Sequence, residues 1–313
     1  MSTLVKEKSF FSPQTLLSTS VISIAYLLLS AWLVGFKSDQ VILVLIFNAL
    51  FYTSGITRKF IIGFSVFIVF WILFDYMKAF PNYKYNTVHI ESLYNAEKDL
   101  FGIGEGLNTV TPNEYWLSHN KPALDVITGF FYLCWMPVPL FFAAYLFYAK
   151  RLNFLHFALT FLFVNCVGFV VYYTYPAAPP WYVQQYGFDF HASTPGNTAG
   201  LARFDHFFNV EIFKGLYSKS SNVFAAMPSL HSAYPFVVLY YAFKSKLNTW
   251  AILFFAIVMV GIWFAAVYNS HHYVLDVIAG VLCAIIGIVL YNKVLMTRLW
   301  FNKFISKFYE KIR

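Results

Sequence analysis

Three short segments carry residue types that can do chemistry together. They are Met227-Pro-Ser-Leu-His-Ser232, Asn269-Ser-His-His-Tyr-Val-Leu-Asp276 and Tyr175-Pro-Ala-Ala-Pro-Pro-Trp-Tyr182. His272 and Asp276 are four residues apart, which on a helix places them on one face, one turn apart. A carboxylate there can accept an imidazole N–H, fix the tautomer, leave the other ring nitrogen free to attack, and balance the imidazolium that forms. An Asp in an apolar helix is costly and normally has a partner; His272 is the obvious one. His231 follows Pro228 and Ser229, residues favoured in the first turn and at the cap of a helix. A helix start offers amide N–H groups and a positive dipole end, which suit phosphate, and a histidine beside a phosphate can protonate a leaving oxygen. His271 has no carboxylate four positions on, where Leu275 stands, so it reads as a neighbour of the nucleophile.

Plainer readings stand beside these. Pro-Ser-Leu-His can be a helix start and nothing more. Pro-Pro-Trp-Tyr can be a rigid turn with interfacial aromatics. His-His-x-x-x-Asp can look like a metal or haem ligand set, although no further His or Cys lies at the outer face of the same helices. His191 and His206 read as surface or loop-packing residues.

The two histidines can meet only if the chain returns to one face. They lie 41 residues apart, and two bilayer crossings with a short turn take about 40. The helices between them therefore form a hairpin, and both histidines sit at one depth. Composition agrees that these elements are membrane helices. Of 313 residues, 59% are apolar, 22% aromatic and only 12% charged, against about 25% charged in a soluble domain. Eight apolar stretches are expected to be helical: 15–36, 39–56, 60–80, 124–149, 153–174, 229–245, 249–268 and 273–295. The first is too long for a signal-peptide core and lacks a clean cleavage site, so it counts as a helix. The second and sixth are the shortest. The expected fold is all-α: a polytopic membrane bundle of about eight transmembrane helices, with residues 1–313 as one membrane domain and no internal repeat.

A net charge of +8 would suggest nucleic acid for a soluble chain; here the distribution decides. With the N-terminus inside, 14 of the 22 Lys and Arg fall on the inner side with only two acids, Glu7 and Glu310. The outer side holds 8 basic and 12 acidic residues, so the balance is +12 inside and −4 outside. The basic excess falls on every second loop: Lys6 and Lys8, Arg58 and Lys59, Lys150 and Arg151, Lys244 and Lys246, then the tail from Lys293 to Arg313. This is the positive-inside pattern. It makes both termini cytoplasmic and turns all three chemical segments outward. Two long outward segments, 81–123 and 175–228, are expected to be ordered, partly helical caps over a site. The basic, amphipathic tail 296–313 is either an interfacial helix on the inner leaflet or a topology anchor. Cys134, Cys166 and Cys283 lie in apolar stretches without a CxxC partner, so they read as small apolar residues.

Pro228-Ser-Leu-His231 and His272-Tyr-Val-Leu-Asp276, followed by Gly280, resemble the second and third signature motifs of the phosphatidic acid phosphatase type 2 superfamily. The Pro-Ser-Leu-His form, the doubled histidine and the Pro-Pro-Trp-Tyr segment are most similar to the inositol phosphorylceramide synthase branch, the aureobasidin-sensitive enzymes of fungi and their bacterial relatives. The resemblance covers roughly residues 90–290. It implies a six-helix phosphatase-like catalytic core over about 90–295, preceded by N-terminal helices. By this resemblance His272 is the nucleophile that forms a phosphohistidine, Asp276 orients and charge-balances it, and His231 is general acid and then base. Ser229, Pro228 and the neighbouring amides hold phosphate oxygens. Tyr175, Trp181, Tyr182 and His271 belong to the phosphate- or substrate-binding surface. No metal or other cofactor is implied, and the partners are membrane lipids rather than nucleic acid.

Two departures matter. The hydrolases of the superfamily carry a Ser-Arg pair seven and six residues before the nucleophile, where this chain has Ala265 and Ala266. Their first motif, with its Lys and Arg-Pro, is also missing; Tyr175-Pro176 is the nearest equivalent. A doubly charged phosphomonoester would want those cations, whereas a phosphodiester carries one charge and needs less compensation. Arg203, Lys214 or Lys219 are the loop cations that could replace them. The expected activity is transfer of inositol phosphate from phosphatidylinositol to a ceramide-like acceptor. The alternatives are a lipid phosphatase or phosphodiesterase using water, and a non-catalytic lipid transporter. Against the transporter, the ionisable set lies near the outer surface and no repeat is visible. Phe-, Ile-, Lys- and Asn-rich usage points to a bacterial source and a periplasmic outer face; in a eukaryote that face would be luminal.

Overall fold

The computed structural model describes residues 11–192, 194–218 and 222–313. Each of the eight apolar stretches folds as a helix or a bent helix pair, and among the described residues there are isolated bridges but no strands. The chain opens with α1 (Pro13–Val34), α2 (Ser38–Thr53) and α3 (Gly55–Tyr76). Two short helices follow, α4 (Glu91–Phe101) and α5 (Pro112–Ser118), then α6 (Pro122–Leu133), α7 (Pro137–Ala149) and α8 (Arg151–Thr174). Three more short helices, α9 (Pro180–Tyr186), α10 (Ala202–Phe208) and α11 (Ile212–Tyr217), precede α12 (Leu230–Lys244), α13 (Thr249–Tyr268) and α14 (Val274–Leu290). A π-helical turn, Tyr291–Leu295, extends α14, and α15 (Leu299–Ile312) closes the chain.

Among the described residues, five helices are long and apolar enough to cross a membrane, and the α6–α7 pair makes a sixth with a 41° bend. The sequence suggests one span at 124–149. It breaks because Pro137 has no N–H and its ring meets the carbonyl four residues back, at Leu133, where α6 ends. At 16 and 15 residues, α2 and α12 reach only about 22–24 Å at 1.5 Å per residue.

Local chemistry sets several starts. Ser12 accepts the Thr15 amide at 3.2 Å ahead of Pro13. Thr111 and Glu114 form a reciprocal capping box on α5. The Asn248 side chain accepts the Ala251 amide at 2.8 Å and opens α13.

The chain divides into two compact units, Met1–Ala79 with Lys307–Arg313, and Phe80–Ser306. In the first, hydroxyls tie the helices: Thr19 to Tyr52 at 2.6 Å, Ser30 to Tyr76 at 2.9 Å. In the second, α12 packs on α13, α14 and α8. Its core is lined by Phe154, Phe157, Phe161 and Val164 of α8. The α12–α13 hairpin returns the chain as the spacing requires, so the starts of α12 and α14 lie side by side.

Candidate active site

The turn that carries the doubled histidine is built on α13. Its Ala266 carbonyl accepts the amides of both His271 (3.0 Å) and His272 (3.1 Å). Ser270 adopts a left-handed φ of 58°, uncommon for a residue with a Cβ, and is held there from outside. The Trp181 amide donates to its carbonyl at 3.0 Å and the Gln184 side chain to its hydroxyl at 3.0 Å. The Gly200 amide donates to the Asn269 carbonyl at 3.1 Å. Buried Asn113 on α5 donates to the carbonyls of Val267 (2.8 Å) and His272 (3.0 Å). The His271 ring donates through Nε2 to the Thr198 carbonyl at 2.9 Å and is stacked 4.4 Å from Tyr217.

The first amides of α14 face two carboxylates. Asp276 accepts the Tyr273 N–H at 2.8 Å, and Glu97 of α4 accepts those of Val274 (2.9 Å) and Leu275 (3.0 Å). Glu97 is fully buried. Burial pushes its carboxyl up to about 7, against the pull of the two amides and with a smaller push from Asp276.

His231, the second residue of α12, stands against this turn. Its Nδ1 lies 3.1 Å from His272 Nε2 and 3.0 Å from the Tyr132 hydroxyl. His272 Nδ1 faces Asp276 Oδ2 at 3.6 Å. That is too long for a hydrogen bond but close enough for a charge to be felt. Burial pulls His272 down to about 4, with the Ala226 carbonyl opposing, so the ring is neutral at pH 7 and one ring nitrogen carries a lone pair. Ser229 caps α12: its hydroxyl oxygen accepts from the amide (3.3 Å) and the hydroxyl (3.0 Å) of Ser232. The Ser229 amide donates to the Asp276 carbonyl at 2.9 Å, joining the starts of α12 and α14. The close approach needs Gly280, because a Cβ there would lie 2.1 Å from the Ser229 carbonyl oxygen.

His231, His272 and Asp276 are thus brought together, with Pro228 and Ser229 immediately before His231. The Pro-Pro-Trp-Tyr segment sits differently. Trp181 reaches the histidine turn through its backbone while its ring packs with Phe224, Ile90 and Tyr182. The Tyr182 hydroxyl donates to the Asp189 carbonyl at 2.6 Å and accepts the His191 amide at 2.8 Å. Tyr175 ends α8 and stacks on His89 at 3.8 Å.

Of the loop cations, Arg203 is bonded to Asp125 at 2.6 Å, which also accepts the Tyr268 hydroxyl at 2.8 Å. Exposed Lys214 pairs with Glu211 at 2.5 Å, and Lys219 lies outside the described residues. Ala265 and Ala266 are fully buried in a core with Leu201, Phe204, Phe213 and Tyr132. Methyl groups and the Ala266 carbonyl therefore occupy the place where the hydrolases carry their Ser-Arg pair. Glu97, Asn113, Tyr132 and Tyr217 also hold the site, and nothing in the sequence alone marks them. Each acts on a segment far along the chain, and no local spacing marks it.

The superfamily signature expected from the two histidine motifs agrees with direct comparison. The PAP2 superfamily model matches residues 104–290, a span that contains His231, His272 and Asp276. The chain is 43% identical over 303 residues to phosphoinositol dihydroceramide synthase of Bacteroides thetaiotaomicron, covering 96% of this chain and 99% of that protein. It is 32% identical over 155 residues to the inositol phosphorylceramide synthase catalytic subunit aur1 of Schizosaccharomyces pombe, covering 49% of this chain and 36% of that protein. The corresponding Saccharomyces cerevisiae subunit AUR1 is 37% identical over 125 residues, 38% of this chain and 29% of that protein. The chain thus matches about a third of the length of these fungal relatives. No solved structure matches it. A family match across more than half of the residues, and a bacterial relative aligned almost end to end, place this integral membrane protein in the PAP2 superfamily.

Proposed function

We propose that the protein is a lipid head-group phosphotransferase that moves inositol phosphate from phosphatidylinositol to the hydroxyl of a ceramide-like lipid. The observation that carries this reading is the 3.1 Å contact between His231 Nδ1 and His272 Nε2, with Asp276 behind the second ring. The similarity to phosphoinositol dihydroceramide synthase supports the choice of donor and acceptor. A phosphodiester entering between the rings brings negative charge, which favours the protonated form of His231. His272 Nε2 attacks phosphorus and the bond from phosphorus to the glycerol oxygen breaks. His231 gives its proton to the departing diacylglycerol oxygen. The phosphorylated His272 ring carries positive charge through Nδ1, and Asp276 at 3.6 Å stabilises it. The acceptor hydroxyl then loses its proton to His231 and attacks phosphorus, the phosphorus–nitrogen bond breaks, and His272 is restored. Protons balance over the cycle, which leaves His231 charged as at its start.

The alternating loop charge supports cytoplasmic termini and a site on the opposite, periplasmic face. The lack of a Ser-Arg pair before the nucleophile favours a singly charged diester over a monoester. The test is to incubate purified protein with labelled phosphatidylinositol and ceramide, with a chelator present, and to separate the lipids. A labelled inositol phosphoceramide that forms despite the chelator and is lost in His272→Ala is the expected result. Wild-type activity in His272→Ala refutes the assignment of the nucleophile, and release of water-soluble inositol phosphate in place of a new lipid refutes the lipid acceptor.

A further inference from the structure

The mechanism gives His231 two opposite tasks at one nitrogen. Nδ1 must hold a proton before the leaving group departs and hold a lone pair before the acceptor attacks. A ring with that duty needs a neighbour that can serve both states, accepting a hydrogen bond in the first and donating one in the second. Backbone amides and carbonyls can do only one of these, whereas a hydroxyl can do both by rotating. The Tyr132 hydroxyl lies 3.0 Å from His231 Nδ1, the same nitrogen that faces His272. Tyr132 is fully buried at the end of α6, just before the break that separates it from α7. Its oxygen also accepts from the Tyr217 hydroxyl at 3.3 Å. Tyr217 stands on α11, in the long outer loop, and its ring stacks on His271 at 4.4 Å. Trp135, beyond the end of α6, packs against the His231 ring, their centroids 4.5 Å apart.

We propose, on the basis of the phosphotransfer reading above, that Tyr132 is the positioning residue for acid–base catalysis by His231, supported from behind by Tyr217. In the resting protein His231 Nδ1 has two partners, His272 Nε2 and Tyr132. When a phosphate separates the two histidines, the first partner is lost and the phenol is the one that remains. It holds the Nδ1 edge of the ring at that gap between steps, and yields the one proton or lone pair of Nδ1 to the glycerol oxygen and then to the acceptor hydroxyl as each arrives. Because Tyr217 donates to the Tyr132 oxygen, the phenol proton is free to turn toward His231 once that ring has given its own proton away.

Tyr132→Phe tests this, since it keeps the ring in its core and removes only the hydroxyl. The expected result is a kcat lower by about tenfold to a hundredfold, a modest share of general acid–base catalysis, with the donor KM within about twofold and an unchanged Tm. The imidazolium loses an acceptor, so the basic limb of the kcat–pH profile moves to lower pH. Tyr217→Phe, which acts through Tyr132, changes kcat in the same direction by less. Wild-type kcat and pH profile in Tyr132→Phe overturn the proposal. A lower kcat with an unmoved profile also overturns it, because it leaves only a packing role. If Tyr132→Phe does not fold, Tyr217→Phe decides by the same two readouts. All ratios are taken on whichever phosphodiester lipid the wild-type enzyme turns over. Failure of phosphatidylinositol as donor is therefore seen in the wild type, separately from failure of the tyrosine.

Discussion

Replacing Gly280 with Ala adds one methyl group and no charge, on a residue that touches neither histidine, yet it should nearly silence the enzyme. The added Cβ would sit 2.1 Å from the Ser229 carbonyl oxygen, 3.0 Å from its carbonyl carbon and 3.3 Å from Ser232 Cβ. The first two are backbone atoms, so no side chain can rotate out of the way. The starts of α12 and α14 must separate by roughly 1 Å or more to restore normal contact. The amide of Ser229 is bonded to the Asp276 carbonyl at 2.9 Å, and His231 sits two residues after Ser229. The same movement therefore stretches the 3.1 Å contact between His231 and His272. Overpacking of this kind costs about 1–3 kcal/mol of stability, and a misplacement of about 1 Å at reacting groups can cost about a hundredfold in rate. The assay is head-group transfer in mixed micelles, with Tm followed in parallel. The expected result is a loss of about a hundredfold in kcat with a modest drop in Tm. Gly215→Ala is the control, because a Cβ there meets nothing within 4 Å, and it should behave as wild type. Gly280→Ala with more than about half of wild-type kcat would show that the distance between the two helix starts does not govern the reaction.

Other perturbations follow from the same geometry. Glu97 in the folded protein holds its proton up to about 7 rather than 4.5. The native state therefore binds more protons than the unfolded state in that window. The contribution of Glu97 to stability is present below 4.5 and lost as pH rises through about 7. Gln does not titrate, so the Tm of wild type minus that of Glu97→Gln should fall across that window; a flat or rising difference refutes the assignment. Asn113→Ala removes two hydrogen bonds from the histidine turn and leaves the His272 carbonyl unpaired, while the Val267 carbonyl keeps the Ser270 amide at 3.0 Å. It should cost about 1–3 kcal/mol by thermal or denaturant unfolding, the range for one stranded buried group; a loss well below about 1 kcal/mol would mean that the turn holds itself. Tyr182→Phe should lower stability by about 1 kcal/mol and leave the lipid KM unchanged. A raised KM at unchanged Tm would instead place its hydroxyl on substrate.

The sequence made the main contact legible because it depends on counting. A spacing of 41 residues fits two crossings, and the two rings duly meet. The four-residue spacing of His272 and Asp276 was legible too, but its consequence was not. A carboxylate in the first turn of a helix can also cap that helix, and the Tyr273 amide holds Oδ2 at 2.8 Å, leaving 3.6 Å to the imidazole. Ser229 reads correctly as a cap, and its capping bonds engage the hydroxyl oxygen that the resemblance assigns to phosphate. The break between α6 and α7 was visible in Pro137, yet hydropathy alone carries straight through it. Glu97, Asn113 and Tyr132 were out of reach because each meets a partner about 100 or more residues away, and neither periodicity nor a local motif encodes such a meeting.

The scaffold around the histidine turn also sets an order of events. Apart from Asp276, which bonds the Tyr273 amide, the groups that hold it from outside α13, from Glu97 and Asn113 through Trp181 and Gln184 to Gly200, precede it in the chain. During synthesis those groups emerge before the turn that they clasp, and contacts so distant in sequence close late in folding. Competence for lipid chemistry is thus withheld until the last membrane hairpin is in place. On the mechanism proposed above, a nascent or truncated chain ending before Asp276 would carry the clasp without the charge partner of His272, and such an unfinished copy would be chemically silent.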